Sequence, residues 1–425
     1  SLRLGATIRR GCDIRHPEPA RHDLKMRIIL NTVTTVTPHP HRRPARSITA
    51  PLVIAAVAVV AVGCAAPVAS GGAGATTISA GEATEVAAPA RALVIADEEG
   101  ALTLLDLESE STTVIADEPA EIIDANGRFV HRIAGDTVEI IDTGRWSVPH
   151  GDHAHSFQAE PRIAASVAGS QPVDVRVGDD RTAVRFADGD VRTFEHEDLG
   201  GDGATTPIPD AVTVEPEGAA LPFGDHLLVT TASAVEILDA AGAPTGQRVS
   251  CPQASGGTVT RAGAVIACAD GAVVVTRAVG GSLATEHVPH PAAAPAELTG
   301  RDDRPDLAGV AADGTGWMLD VHQRAWTPLA DGSPLLRAVA VGDDDSRVIA
   351  VGLDGRVCVI DEGGATVACT EPLLAASVTE PVLRDRVHLT VDAQFAYVTD
   401  PATGAVHELD HRDGIRIART FSDLD

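Results

Sequence analysis

From residue 92 onward one local pattern recurs eight times: an apolar run, a turn built on Asp or Gly, and a second apolar run. The copies span residues 92–107, 129–143, 182–196, 227–240, 264–277, 308–321, 348–361 and 395–410. Turn pairs such as Asp188-Gly189, Asp270-Gly271 and Asp354-Gly355 separate runs of Val, Ile and Ala, which is the chemistry of a tight hairpin. Successive copies begin roughly 37–53 residues apart, the period expected of four-stranded propeller blades. An apolar period of 3.6 residues is convincing almost nowhere, so helices should be few. These features predict an all-β chain: a single β-propeller over residues 91–425, with eight blades preferred and seven as the alternative. An array of β-sandwiches competes, but evenly spaced hairpins in one continuous domain fit a closed ring better. Aromatic residues are only 3% of the chain, so the blades must pack through Val, Ile, Leu and Ala. The segment 406–419 is expected to pair with an early strand and close the ring.

The region ahead of the repeats reads differently. Residues 1–50 are rich in Arg, His, Pro and Thr, and Met26 is one of two methionines and a plausible start. Arg42, Arg43 and Arg46 precede an apolar run over 51–62, too short to span a bilayer as a helix, as in a secretory signal. The run ends in Ala61-Val62-Gly63-Cys64, small residues directly before a cysteine, like the lipobox of bacterial lipoproteins. Residues 1–64 are therefore assigned as an upstream extension and lipoprotein signal peptide, with acylation at Cys64. A plain signal peptide or a short membrane anchor is the alternative. Residues 65–90 are mostly Ala, Gly, Ser, Thr and Pro, the composition of a flexible, disordered tether. The expected location is the extracytoplasmic face of the cell membrane, held by lipid.

Charge narrows the partners. Residues 1–64 hold 10 of the 33 basic side chains and 3 of the 60 acidic ones, leaving 23 basic against 57 acidic, a net of −34. Such a surface repels nucleic acid and anionic headgroups and concentrates cations, although solubility alone also explains it. Four cysteines follow the tether: Cys251, Cys268, Cys358 and Cys369. In an exported chain local pairs of this kind read as disulfides, Cys251 with Cys268 and Cys358 with Cys369. Neither pair has the close spacing of a zinc knuckle, which argues against a metal role.

The densest functional signal is residues 146–157, where His150, Asp152, His153 and His155 fall within six positions. Imidazole is a borderline-soft ligand, and a nearby carboxylate can bind a metal or orient a ring. On an extended chain His153 and His155 project from one face. Gly151 lets the chain swing His150 back towards them. A polar surface loop whose histidines merely titrate is the plain alternative. The segment leaves the second repeat and enters the third, which places the histidines at the rim of the central channel. Candidates for a further ligand are His131 in the preceding unit, Glu215 and Glu217 at the entry of the fourth, and His322 in the sixth; each also reads as an exposed side chain or a local hydrogen bond. His407 and His411 alternate along what reads as an edge strand and are taken as surface residues. No nucleophile or redox motif of comparable density occurs, so the chain is not read as an enzyme.

The run Trp146-Ser-Val-Pro-His-Gly-Asp-His-Ala-His-Ser-Phe-Gln-Ala-Glu-Pro161 resembles the signature segment of AztD-type zinc metallochaperones. Further likeness covers Leu221-Pro-Phe-Gly-Asp-His-Leu-Leu-Val-Thr230, Cys251-Pro252 with Cys268-Ala-Asp-Gly271, and Val406-His-Glu-Leu-Asp410 to Arg419-Thr420. The resemblance spans most of residues 91–421. It implies an exported β-propeller that binds zinc and passes it to the substrate-binding protein of a zinc ABC transporter, with zinc contacts at His150, His153 and His155 and with Asp152 in the same motif. This chain departs from the family where His-Gly tips occur in the fourth and fifth units: it reads Glu217-Gly218 and Ser255-Gly256. Residues 65–130 also contain no histidine, where the family is His-rich. These losses should weaken or reshape the site, with Glu217 able to substitute as an oxygen ligand. The expected function is a lipid-anchored, zinc-binding propeller that buffers or delivers zinc. The alternatives are a degenerate, metal-free interaction scaffold and a metal-dependent hydrolase, which would need a carboxylate-rich channel site holding an activated water.

Overall fold

The computed structural model describes residues 28–31, 83–97, 100–118, 120–125, 127–150, 153–200, 206–207, 218–278, 281–302, 304–329, 332–422 and 424. Cys64, Asp152, Glu215 and Glu217 lie outside the described residues. The eight hairpins read from the sequence are the two middle strands of eight successive antiparallel sheets, each a propeller blade. In the seventh blade, for example, the order from first to fourth strand is Leu335–Ala340, Val348–Gly352, Val357–Ile360 and Thr366–Cys369. The sixth blade has three strands, and its first place is taken by a single bridge from Thr299 to Ala308. Gly355 shows why the Asp-Gly turns are needed: at φ 81° it occupies backbone space where a Cβ would come within 2.6 Å of the Ala375 nitrogen.

Burial follows strand position. Ala92–Ala96, Gly263–Cys268 and Val348–Gly352 are buried at every residue, because a second strand has a strand on each edge and a neighbouring blade on each face. Fourth strands such as Pro244–Ser250 are largely exposed. The core is therefore divided among the seams. Among the described residues eight apolar clusters occur, one between each pair of adjacent blades. Leu93, Ile95, Leu105 and Leu107 of the first blade pack on Tyr397, Val406 and Phe421 of the last, which closes the ring at eight blades.

Two expectations are corrected here. The last segment does not pair with an early strand: Ala405–Asp410 lies between Phe395–Asp400 and Arg416–Phe421 inside the eighth blade. Closure is instead by side chains, with the cluster above flanked by Arg91 to Asp392 at 3.1 Å and Arg419 to the Leu107 carbonyl at 2.6 Å. His407 and His411 are buried rather than on a surface edge: His407 is on a third strand with blades on both sides, and His411 lies in the turn that follows it. Ile28–Asn31, inside the stretch assigned upstream of Cys64, pairs with Ala92–Ala96 in the first place of the first blade. Among the described residues no helix is long and apolar enough to cross a membrane. Both expected disulfides are present, with Cα–Cα separations of 5.0 Å for Cys251–Cys268 and 4.1 Å for Cys358–Cys369. The first ties the entry of the fifth blade to its second strand, and the second links third and fourth strands of the seventh.

Candidate functional site

The histidine motif forms a hairpin that projects from the second blade. Arg145–His150 pairs with His153–Gln158 in continuous register, so that Trp146 faces Phe157, Val148 faces His155 and His150 faces His153. At the base Trp146 and Phe157 stack with ring centroids 5.4 Å apart, and Arg128 lies over the Trp146 ring at 4.1 Å. Arg145 reaches Asp106 of the first blade at 3.3 Å, and the Ser147 and Ser156 hydroxyls meet at 2.8 Å. These contacts hold the strands rigidly beneath the tip.

The hairpin is not the connection from the second to the third blade. The chain leaves it through Arg162–Ala168, which returns to pair with Thr137–Asp142 as the fourth strand of the second blade. The histidines thus lie on an insertion in the outer half of one blade, and the channel-rim placement is corrected. The segment after the motif looks like the start of a new unit only because any strand of a blade carries the same alternation.

A third strand completes the small sheet. Thr84–Val86, at the end of the stretch read as tether, pairs with the free edge of His153–Gln158 and sets Glu85 opposite Phe157. His153 and His155, two residues apart, share a face as expected of a strand. Their Nε2 atoms are 3.1 Å apart, and His155 Nδ1 is 2.6 Å from Glu85 Oε1. With the Nδ1–H of His155 donating to the Glu85 carboxylate, the lone pair of that ring lies on Nε2, facing His153. Two nitrogens bound to one tetrahedral zinc at ordinary bond lengths would be about 3.3 Å apart, so the pair already has the spacing of two ligands, and a turn of each ring would aim both lone pairs at one ion. For both rings to hold an ion, the proton between them, carried on His153 Nε2, would have to move to His153 Nδ1. Both rings are solvent-accessible, His155 by 39% of its side chain.

Other candidates are placed elsewhere. The backbone of His150 pairs with that of His153 at the hairpin tip, beside the pair. His131 is wholly buried between the second and third blades, with Nε2 3.4 Å from the Thr182 hydroxyl and Phe194 beside its ring. Burial pushes its pKa down to about 3, and Thr182 links it in turn to His196 at 3.0 Å, whose pKa burial lowers to about 4. A second strand faces a neighbouring blade, so His131 is a core residue. His322 is exposed in a turn of the sixth blade. Neither joins the hairpin pair. Glu85 was missed because three residues with no flanking period carry no strand signal. Among the described residues one group of three metal-ligating types clusters within 4.8 Å: Cys268, Asp270 and His287. Its sulfur is engaged in the disulfide with Cys251.

No protein-family model matches this sequence, and no curated protein matches it. Solved structures do. Apo AztD from Citrobacter koseri superposes with a TM-score of 0.66 at 18% identity, over 79% of this chain and 95% of that one. A second structure of Citrobacter koseri AztD gives 0.64 at 18% identity, over 76% and 91%. At that identity the likeness concerns backbone architecture: this chain has the AztD-type β-propeller fold.

Proposed function

We propose that this chain is a non-enzymatic, extracytoplasmic zinc-binding propeller that carries zinc as cargo at its hairpin. It buffers the ion or delivers it to the substrate-binding protein of a zinc ABC transporter. The observation that carries the reading is the pair of Nε2 atoms 3.1 Å apart with Glu85 on the far nitrogen of one ring. The Glu85–His155 contact is the carboxylate–histidine arm by which proteins orient a zinc-binding histidine. The AztD-type fold and the motif resemblance point the same way, with His150 and Asp152 within reach in sequence for further ligation. A site with few ligands on an exposed tip suits transfer, because an incoming ligand can attack the ion before an outgoing one leaves.

Competition titration against a chromophoric zinc chelator tests this. The wild-type chain is expected to hold one tight zinc ion and His153→Ala with His155→Ala to lose it, both remaining folded because the blades pack without the hairpin. Glu85→Gln keeps both ligands but weakens the carboxylate that fixes the tautomer, and should lower affinity about 10–100-fold. An unchanged titration in the double variant would replace zinc carriage with the interaction-scaffold reading.

The lipid anchor belongs to the same proposal. Cleavage before Cys64 would remove Ile28–Asn31 and leave the first blade with three strands, the number the sixth blade already has. Mass spectrometry of protein from membranes is expected to find an acylated Cys64 as the mature N-terminus, with Cys64→Ser released or misprocessed. A mature terminus at any other residue rejects the anchor.

A further inference from the structure

We propose that Cys251, Cys268, Asp270 and His287 form a second zinc site, which becomes available when the Cys251–Cys268 disulfide is reduced. The site is separate from the hairpin and stands or falls independently of it. Asp270 lies in the turn between Gly263–Cys268 and Gly271–Arg277, and His287 lies on the adjoining fourth strand, opposite Val273. His287 Nε2 is 3.0 Å from Asp270 Oδ1. A sulfur, a carboxylate oxygen and a ring nitrogen from Cys268, Asp270 and His287 lie within 4.8 Å of one another. Cys251 brings the fourth group, bonded directly to Cys268. Among the described residues Cys358 and Cys369 belong to no such group, so the arrangement is particular to this disulfide.

The chemistry depends on the oxidation state of the sulfurs. In the disulfide they carry no charge and ligate poorly, leaving one imidazole and one exposed carboxylate. A dithiol supplies two electrons: the S–S bond breaks, the dithiol closes to its cyclic disulfide, and its two protons pass to the two cysteine sulfurs. Zinc then displaces both thiol protons to solvent and meets two thiolates, an imidazole and a carboxylate, a four-ligand set suited to a tetrahedral ion. Backbone hydrogen bonds hold the sulfurs in place after the bond opens: Cys251 N–H donates to Ser233 O at 2.9 Å and Ala269 N–H to Pro252 O at 2.8 Å. Both cysteines are buried, whereas Asp270 is exposed and His287 half-buried, so reductant and ion approach from the Asp270 side. Exchange with a disulfide oxidant reverses this: that disulfide takes the two electrons and two protons from solvent to become its dithiol, the Cys251–Cys268 bond re-forms, and the ion, left without its thiolates, is expelled.

The test uses the full chain carrying His153→Ala and His155→Ala, so that the hairpin contributes no metal. Protein is reduced with dithiothreitol, freed of it by anaerobic gel filtration, and titrated with cobalt(II) and with zinc. The expected result is one additional ion per chain after reduction and none before, with a thiolate-to-cobalt charge-transfer band in the near ultraviolet. Cys251→Ser with Cys268→Ser should lose the band, His287→Ala should weaken binding at least tenfold, and Cys369→Ser should leave both unchanged. If reduction alone unfolds the chain by circular dichroism, zinc should restore the fold. Binding without the charge-transfer band, equal binding before and after reduction, or failure of zinc to restore a reduced and unfolded chain each overturns the proposal.

Discussion

Replacing Asp392 by Ala is expected to cost about 2–3 kcal/mol, because the buried Tyr397 hydroxyl loses its acceptor. The Asp392 side chain is about 3% exposed and accepts from Arg91 Nη1 at 3.1 Å and from the Tyr397 hydroxyl at 3.2 Å. Its other oxygen accepts from the backbone N–H groups of Gln394 at 2.7 Å and Phe395 at 2.6 Å, which shapes the turn between the first two strands of the last blade. Arg91 comes from the first blade, so one carboxylate ties together the two ends of the ring. Alanine would leave a buried hydroxyl, two backbone donors and a guanidinium without their acceptor. Asn keeps an oxygen for the turn and loses the charge, and should cost less. By contrast Asp413→Ala, whose ion pair with Arg416 is largely exposed on both sides, should move stability by under about 1 kcal/mol. Urea denaturation of the three variants measures this. If Asp392→Ala costs no more than Asp413→Ala, the apolar cluster across the seam closes the ring alone.

Acid is expected to destabilise the metal-free protein well above the carboxylate range. His131 and His196 have pKa values lowered by burial to about 3 and about 4, against an ordinary 6.5. In the unfolded chain both take a proton as pH falls below 6.5, while in the folded chain they stay neutral. The unfolded state therefore binds more protons between pH 6.5 and 4, and stability must fall with pH across that window. Each pKa unit corresponds to about 1.4 kcal/mol, so the pair together is worth several kcal/mol by pH 4. The surroundings do not offset this: Asp180 favours the charged form of His196 while Arg128 opposes it, and desolvation outweighs both. His131→Leu removes one titrating group and should flatten the slope between pH 6.5 and 4. Urea midpoints at pH 7.5, 6, 5 and 4 give the slope directly. Carboxylates held below their ordinary range, such as Asp400 with its Ser377, Thr403 and His407 partners, act only at lower pH. A wild-type midpoint constant from pH 7.5 to 5 would contradict the burial of these rings.

The eight central hairpins were legible because their signal is local. A strand with a blade on each face is mostly apolar, and its partner follows across a short turn, often Asp-Gly, so period, turn and partner all lie within about 16 residues. The disulfides were legible for the same reason, spanning 17 and 11 residues. First strands were harder: Ser255–Thr260 and Pro172–Val177 are short, mixed in polarity and pair with a bulge. His407 and His411 misled because alternation of polar and apolar residues normally marks a solvated face, and here the polar members bond inside the seam. His407 Nδ1 meets the Thr420 hydroxyl at 3.0 Å, and His411 Nε2 meets the Asp392 carbonyl at 3.3 Å.

For the site, the sequence by itself determined that His153 and His155 share a face, because side chains two apart on a strand always do. It also determined the blade repeat and the charge that favours cations over polyanions. Tertiary structure alone decided that the hairpin is an insertion within the second blade, that His131 belongs to the core and His322 to a distant turn, and that Glu85 stands on the far nitrogen of His155. Glu85 lies 70 residues from that histidine, and their meeting depends on an edge-strand pairing of only three residues. Local periodicity fixes which way a side chain points from its own strand. Which strand comes to lie beside it is a choice among many edges of similar pattern, settled only when all eight seams close at once.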